Sequence, residues 1–192
     1  MLERVKGFNF SHFMGQYSAE LTRSMTFLAE DERTVFLGQA VSAPGTAMYG
    51  TLEGVDIKKR IEFPVTEEFQ MGVSTGLALT GLVPVSIFPR WNFLLLAVNQ
   101  LINHLDKMEI MIGSPMPGHV IIRTSIGSER PLHPQYQHVG DFSDAIRMMC
   151  SSIEVIRLTE SNEIFEAYKH ALLREDGIST ILVEYGDYHS EK

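Results

Sequence analysis

The stretch from Arg60 to Met108, RIEFPVTEEFQMGVSTGLALTGLVPVSIFPRWNFLLLAVNQLINHLDKM, decides the fold of this chain. It predicts a strand, a helix headed by two carboxylates, a second strand, an aromatic turn and another helix. Glu67 and Glu68 open the first helix directly after an apolar strand, and the aromatic turn at Trp91 to Phe93 follows the end of the next strand. Ligands of α/β sheets are usually held beyond the carboxyl ends of the strands, so both places are candidates for a binding site.

Strands and helices continue to alternate on either side of this stretch. The predicted strands cover residues 34–38, 59–63, 83–88, 119–124, 154–158 and 180–184, and the predicted helices cover 17–30, 67–80, 92–107, 141–150 and 161–174. Helix 92–107 should place Phe93, Leu96, Ala97, Leu101 and Leu105 on its apolar side. Residues 42–54 and 125–140 are predicted loops. The alternation predicts a three-layer α/β/α fold with a mostly parallel sheet.

Composition narrows the class of protein. The 192 residues are 44% apolar and contain no linker-like stretch, so we expect a single domain over 1–192, with an N-terminal arm at 1–16 and a C-terminal tail at 187–192. The net charge of −8 argues against nucleic acid or an anionic membrane as partner. One cysteine allows no intrachain disulfide, and neither a signal peptide nor an apolar run of membrane-spanning length is evident. These features predict a soluble cytoplasmic protein.

Two features of the helix that begins at Glu67, its acidic first turn and its stripe of small residues, each have two possible interpretations. Acids in a first turn commonly complement the helix dipole. Alternatively, one carboxyl group, in an apolar setting made by Phe63, Val65 and Phe69, serves as an acid, a base or a strong hydrogen-bond partner. A stripe of small residues every fourth position either packs closely on the sheet or receives a helix from a partner subunit. The stripe comprises Gly72, Gly76 and Thr80.

Other candidate residues also have a structural and a functional interpretation. Trp91 and Phe93 are either core residues or a stacking platform for a flat heterocycle. His133 and His138, in a polar loop, are either surface residues or part of an active-site loop, and their spacing does not match a zinc site. Glycine-rich phosphate loops of the standard types are absent from the sequence. Cys150 is most simply a small buried residue.

Taken together, these residues resemble the pyrimidine-binding domain of thiamine-diphosphate enzymes. The resemblance is strongest to the beta subunit of the 2-oxo acid dehydrogenase decarboxylase component and more distant to transketolase. Pro64-Val-Thr-Glu67 is similar to the family's P-[IL]-[ST]-E, and Val35-Phe-Leu-Gly38 to its V-F-L-[LIM]-G strand. The other similar segments are the small-residue helix at 71–78, the phenylalanine-bearing turn at 88–93, the D-Q-[IV]-[IV]-N helix at 97–103 and the Q-H pair at 137–138.

The resemblance assigns roles to individual residues. It implies that Glu67 contacts the aminopyrimidine of thiamine diphosphate as a catalytic carboxyl group and that Phe93 stacks on the pyrimidine ring. His138, whose spacing fits better than that of His133, is the implied active-site histidine. Two positions depart from the family: Gln39 replaces the acid that usually follows the strand's glycine, and the Arg90-Trp91 pair is unusual in the turn.

The resemblance also implies a partner chain. The family's beta subunit carries a further C-terminal domain, whereas this chain ends at Lys192. We therefore expect a subunit of a split enzyme that makes or breaks a carbon–carbon bond next to a carbonyl. The diphosphate and Mg²⁺ would be held mainly by a partner with a G-D-G motif, in an α2β2 assembly. Transketolase-like ketol or acyl transfer is favoured; 2-oxo acid decarboxylation and a non-catalytic scaffolding subunit are the alternatives.

Overall fold

Six strands form one all-parallel sheet in the computed structural model, which describes residues 10–127, 129 and 133–188. The strands are β1 (Thr34–Gly38), β2 (Arg60–Glu62), β3 (Val83–Ile87), β4 (Ile121–Ile126), β5 (Ile153–Arg157) and β6 (Ser179–Tyr185). Their order across the sheet is β2-β1-β3-β4-β6-β5. Every predicted strand is present within two residues of its expected bounds, and the parallel sheet is confirmed.

Seven α-helices connect these strands in the described part of the chain. They are α1 (Phe10–Glu30), α2 (Ala47–Gly50), α3 (Glu67–Leu79), α4 (Trp91–Leu94), α5 (Met108–Ile112), α6 (Ser143–Met149) and α7 (Ser161–Leu172). Helices α1, α2 and α5 differ from the prediction, and α5 lies wholly beyond the predicted helix over residues 92–107. Helix α1 starts inside the segment that was expected to be an arm, of which residues 1–9 lie outside the described residues. Helix α2 occupies one turn of a predicted loop, where Met48 anchors it in the core.

Two hydrophobic clusters fill the space on the two faces of the sheet. The first is built from α1 and α7, through residues such as Leu21 and Ile164, against one face. The second is built from α3, the segment that follows β3, and α6, through residues such as Met71 and Ile146. All five side chains of β3 are buried, as expected for a parallel strand covered on both sides. The three-layer α/β/α prediction is therefore confirmed. Among the described residues, no helix combines the length and apolar character needed to cross a membrane.

The predicted helix over residues 92–107 is broken into short pieces. Helix α4 is followed by a 3-10 turn at Leu95–Ala97, a π-helix at Gln100–His104 and a second 3-10 turn at Leu105–Lys107. The buried apolar positions are Leu94, Ala97, Leu101 and Leu105. Leu96 is 59% exposed, so its assignment to the apolar side was wrong. Because Leu94 begins the buried stripe, the side chain two residues later points to the opposite side of the helix.

The small-residue stripe of α3 faces away from the sheet. Gly72 and Gly76 are exposed, and a Cβ atom built on either one would meet no atom within 4 Å in the part of the chain that the structure describes. Close packing onto the sheet therefore does not explain these glycines, and that interpretation was wrong. The buried face of α3 carries larger residues instead, including Gln70, Met71 and Ser74.

The ends of β1 and β3 form a topological switch point. Gly38 at the end of β1 lies opposite Ile87 at the end of β3, and a Cβ at Gly38 would come within 2.4 Å of the Ile87 carbonyl oxygen. The connection after β1 joins the first cluster through Met48, whereas the connection after β3 joins the second through Trp91. Because the two connections leave to opposite faces, a crevice opens between them, which is where α/β sheets usually bind ligands.

Candidate active site

Glu67 is the first residue of α3 and lies at the carboxyl edge of the sheet. Its side chain is 4% exposed, and its Oε1 atom accepts a hydrogen bond of 3.1 Å from Nε2 of Gln39. Its Oε2 atom has no hydrogen-bond partner among the described residues. Glu68, one position further along the helix, is exposed. A nearly buried carboxyl group with one oxygen free to bind a ligand distinguishes Glu67 from an acid that only complements the helix dipole.

Gln70 joins the first turn of α3 to the ends of two strands. Its Nε2 atom lies 3.0 Å from the carbonyl oxygen of Ile87 at the end of β3 and 3.1 Å from Oγ of Ser86. The same amide nitrogen lies 3.4 Å from the carbonyl oxygen of Leu37 in β1. These contacts fix the start of α3, and therefore the Cα position of Glu67, relative to the switch point.

The loop that carries Gln39 is held by the carboxylate of Glu62. The backbone N–H groups of Ala40, Val41 and Ser42 all donate to this one carboxylate, at 2.6, 2.9 and 2.7 Å. Ala40 has a left-handed backbone with φ of 54°, which turns the successive N–H groups towards a common point. The loop is thus fixed by a residue of the neighbouring strand β2, and Gln39 is presented to Glu67.

The surroundings of Glu67 are less apolar than predicted. Phe63 is buried, but Val65 is 73% exposed and Phe69 is 62% exposed. The rings of Phe63 and Phe69 lie 5.7 Å apart, so Phe69 covers part of Phe63 while its outer face remains open. The expectation that all three residues enclose the carboxyl group was wrong, because residues 64–66 run along the surface before the helix begins.

The two aromatic residues of the turn after β3 have different environments. Trp91 is fully buried in the second cluster, so its interpretation as a core residue is confirmed. Phe93 is half-buried, and its ring centroid lies 5.4 Å from that of the His138 imidazole. The structure therefore pairs Phe93 with the predicted histidine, although the two are 45 positions apart in the chain.

His138 is fixed by its backbone rather than by its ring. Its carbonyl oxygen accepts a hydrogen bond of 3.1 Å from Nη1 of Arg90, and the Nδ1 atom of its ring is buried without a partner among the described residues. Gly127 permits this arrangement, since a Cβ there would lie 1.6 Å from the same carbonyl oxygen. His133, in contrast, is exposed, and its Nδ1 atom accepts a hydrogen bond from the Gln135 backbone.

Among the described residues, Phe93 and Glu67 line two different clefts. Phe93 and Arg90 line a cleft of about 360 Å³, with Thr46, Met48 and Ser125 on its other walls. Glu67 lines a more open cleft of about 490 Å³, together with Phe69 and Leu96. The structure therefore brings Phe93, His138 and Arg90 together and places Glu67 in a different cleft at the same edge of the sheet. No group of three or more metal-binding side chains occurs among the described residues.

Sequence reasoning missed Glu62 and the contacts of Gln39 and Arg90. Gln39 and Arg90 were noticed only as departures from a family pattern, and Glu62 was not singled out. The contact from Glu62 to the loop spans about twenty positions, and that from Arg90 to His138 spans 48. No local signal in the sequence distinguishes Glu62, since its strand also contains the charged residue Arg60.

A parallel sheet with a nearly buried carboxyl group and an aromatic–imidazole pair at its switch point defines a ligand-binding α/β domain. The chain belongs to the family of the transketolase pyrimidine binding domain, whose model matches residues 16–189. This membership agrees with the resemblance found in the sequence motifs around Glu67 and Phe93.

Similar proteins come from two further comparisons. The pyruvate dehydrogenase E1 component subunit beta of Rhizobium meliloti is 31% identical over 87 residues, which cover 45% of this chain and 19% of that protein. The mitochondrial pyruvate dehydrogenase E1 component subunit beta of Caenorhabditis elegans is 28% identical over 153 residues. These residues cover 78% of this chain and 42% of that protein. This chain thus spans less than half the length of these relatives. A solved split-gene transketolase, an inactive beta4 tetramer, has a TM-score of 0.66 at 13% identity, covering 88% of this chain and 50% of that one.

Proposed function

We propose that this chain is the pyrimidine-binding subunit of a split thiamine-diphosphate-dependent enzyme that makes or breaks a carbon–carbon bond next to a carbonyl. The observation that carries the proposal is the state of Glu67: nearly buried, held by Gln39 through one oxygen and unpartnered at the other. A residue that served only to complement a helix dipole would need neither burial nor a dedicated amide partner.

Glu67 and Phe93, at the carboxyl edge of the sheet, fit the pyrimidine end of the cofactor. A carboxyl oxygen without a partner is a suitable hydrogen-bond acceptor or donor for a ring nitrogen, and a half-buried Phe93 offers an aromatic face. When bound, thiamine diphosphate supplies a nucleophilic carbon and an electron sink, while the protein supplies orientation and electrostatics. In this proposal Glu67 holds or moves a proton at Oε2, and Phe93 orients the ring.

His138 is the residue proposed to face the substrate. Its ring contacts Phe93, and the loop that carries it is fixed by Arg90. An imidazole in this position could donate a hydrogen bond to a carbonyl oxygen that gains negative charge, or exchange a proton near neutral pH. His133 is exposed and lies outside this arrangement, which supports the choice of His138.

The diphosphate and Mg²⁺ are proposed to be held by a partner chain with a G-D-G motif. Mg²⁺ is bound by several hard oxygen ligands, and the described residues of this chain contain no cluster that supplies them. The exposed Gly72 and Gly76 leave room for the close approach of a helix, and an α2β2 assembly would follow the common symmetric solution. The partner would also bring the separate clefts of Glu67 and Phe93 into one site.

Two reactions are candidates within this class. The family description, a transketolase domain, supports ketol or acyl transfer, which we place first. The relatives, which are pyruvate dehydrogenase E1 beta subunits, support 2-oxo acid decarboxylation as the alternative. Measuring release of CO₂ from a 2-oxo acid and transfer from a ketol donor to an aldehyde, with the same assembled enzyme, separates the two.

The decisive experiment compares the chain with and without its partner. The purified 192-residue protein is titrated with thiamine diphosphate and Mg²⁺ in a calorimeter, alone and together with a diphosphate-binding subunit that carries a G-D-G motif. Weak binding alone, tight binding in the mixture and turnover only in the mixture are expected. Micromolar cofactor affinity or turnover by the chain alone would refute the split site. Absence of both in the mixture would favour a scaffolding subunit.

A further inference from the structure

The cleft beside Phe93 contains a positive charge that forms no ion pair with the described part of the chain. Arg90 lies directly after β3 and lines the cleft, whose walls include Thr46, Met48, Phe93 and Ser125 but no aspartate or glutamate among the described residues. Because the chain as a whole carries a net charge of −8, a cleft that has a cation and no acid is a specific local feature.

The hydrogen bonds of the other arginines show why Arg90 is unusual. Six of the eight described arginines contact a carboxylate, and the six are Arg23, Arg33, Arg123, Arg147, Arg157 and Arg174. Arg60 has no carboxylate, but its guanidinium donates to the carbonyl oxygens of Val41, Leu52 and Val55. Arg90 has neither arrangement: the one hydrogen bond that its guanidinium makes within the described residues runs from Nη1 to the carbonyl oxygen of His138.

The guanidinium of Arg90 is nevertheless held in a defined orientation. Its backbone is extended, and its carbonyl oxygen accepts hydrogen bonds from the N–H groups of Phe93 and Leu94 at the start of α4. The bond from Nη1 to His138 fixes the side chain at 3.1 Å. The Nε and Nη2 atoms have no partners among the residues that the structure describes. Partial burial lowers the pKa of the guanidinium without removing its charge at neutral pH. Two oriented donors on a charged group are suited to a carboxylate or a phosphate.

We propose that Arg90 binds an anionic group, a carboxylate or a phosphate, that is carried by the carbonyl substrate. The inference rests on the proposed function and assigns a residue that anchors its substrate. A substrate anchored in this way would lie in the same cleft as Phe93. Because the ring of Phe93 contacts His138, the carbonyl group of the substrate would be close to this proposed proton donor. On the walls of this cleft, the Thr46 hydroxyl has no partner among the described residues, whereas the Ser125 hydroxyl donates to the carbonyl oxygen of Pro89.

The first test uses the full chain without its partner. The ¹⁵N-labelled protein is titrated with inorganic phosphate, with pyruvate and, as an uncharged carbonyl control, with acetone, while the backbone amides of Phe93 and Gly127 are followed by NMR. Saturable shifts with one or both anions and none with acetone are expected, and the anion that binds more tightly identifies the preferred group. Arg90→Gln should weaken this binding roughly 10- to 100-fold, as expected on losing a charge-assisted hydrogen bond.

Two further variants make this titration specific to Arg90. Lys58→Gln removes one positive charge from an exposed position outside the cleft and should leave the binding unchanged. Arg90→Lys retains the charge but loses the planar fork, so its affinity should lie between those of the native protein and Arg90→Gln. Equal anion affinity in the native protein and Arg90→Gln, with both correctly folded, would overturn the proposal.

The second test uses the assembled enzyme. Arg90→Gln should raise KM for an anionic carbonyl substrate by a larger factor than KM for a neutral one, and it should leave the affinity for thiamine diphosphate unchanged. The smaller change for the neutral substrate measures the loss of the hydrogen bond that holds the His138 loop. A loss of cofactor affinity with unchanged substrate KM would assign Arg90 to the cofactor and refute the inference. If the native assembly neither binds thiamine diphosphate nor turns over, the proposed function fails instead, and the anion titration of the single chain keeps the two failures distinct.

Discussion

The side-chain amide of Gln39 donates a hydrogen bond of 3.1 Å to the Oε1 atom of Glu67, across the gap between the end of β1 and the start of α3. An amide N–H can only donate, so this oxygen must accept. The bond therefore leaves Oε2 as the oxygen that can exchange a proton with a ligand. Gln39 is thus a positioning residue for the proposed catalytic carboxyl group.

Replacing this amide by an acid should change the pH dependence of turnover. Gln39→Glu would place two carboxyl groups within hydrogen-bond distance, and the pair would retain a proton to higher pH because two adjacent negative charges repel each other. We expect the acid limb of the pH–rate profile of the assembled enzyme to move upward by about one unit or more. Gln39→Ala, which adds no charge, should lower the rate without this shift. An unchanged profile in Gln39→Glu would show that the two side chains do not interact during turnover.

Glu67 should matter much more for turnover than for folding. Glu67→Gln keeps the shape of the side chain, and its amide oxygen can still accept from Gln39, but it cannot exchange a proton. We expect the rate to fall by roughly two to four decades, as for the loss of an acid–base group, with a thermal transition close to that of the native protein. Glu68→Gln, at an exposed position, is the matched control and should be mild. Similar rates for the two variants in the presence of the partner would contradict the assignment.

Replacing Phe93 by alanine should affect cofactor affinity, whereas replacing Trp91 by alanine should affect the stability of the fold. Phe93→Ala should weaken thiamine diphosphate binding to the assembled enzyme by about 1–3 kcal/mol, through lost stacking and burial, with little change in stability. Trp91→Ala removes a fully buried side chain and should destabilise the fold by about 3–5 kcal/mol. Calorimetric titration and urea unfolding measure the two quantities. A Phe93→Ala variant with native cofactor affinity and reduced stability would place Phe93 in the core.

The two loop histidines should differ in kinetics. His138→Ala should reduce turnover while sparing cofactor affinity, because its ring lies against Phe93 and a proton donor to the substrate would be lost. His133→Ala removes an exposed ring and should have a weaker effect. Steady-state kinetics of both variants, with cofactor binding measured in parallel, checks this order. The reverse order would identify His133 as the active-site histidine.

The sequence predicted well those parts of the fold in which successive residues of a strand are all buried. Strands β1, β3 and β6 have apolar residues at their centres and are largely buried on both faces, so local pattern and tertiary environment agree. The prediction of one regular helix after β3 was wrong because the 3-10 and π turns of this segment depend on contacts with α3 and the sheet. No local sequence pattern encodes these contacts. Leu96 illustrates this: its apolar character suggested burial, yet the stripe set by Leu94 directs it outward.

The candidate site could be predicted only in part for a similar reason. Glu67 and Phe93 stand in motifs that are contiguous in sequence, so both could be selected before the structure was known. The hydrogen bond from Gln39 and the contact between Arg90 and His138 join residues 28 and 48 positions apart. Such pairs depend on the strand order of the sheet, which alternating strands and helices do not specify.

The carboxylate of Glu62 connects the edge strand β2 to the loop that positions Gln39 beside Glu67. Strand β2, which carries it, has three residues with partly or fully exposed side chains and is the outermost strand on its side. Edge segments with few buried contacts open at a lower free energy than the whole domain. Such a subglobal opening would release three backbone amides at once, and with them the loop that aims Gln39 at Glu67. Enzyme activity should therefore disappear at a lower urea concentration than the global unfolding transition, together with the hydrogen-exchange protection of Ala40 to Ser42.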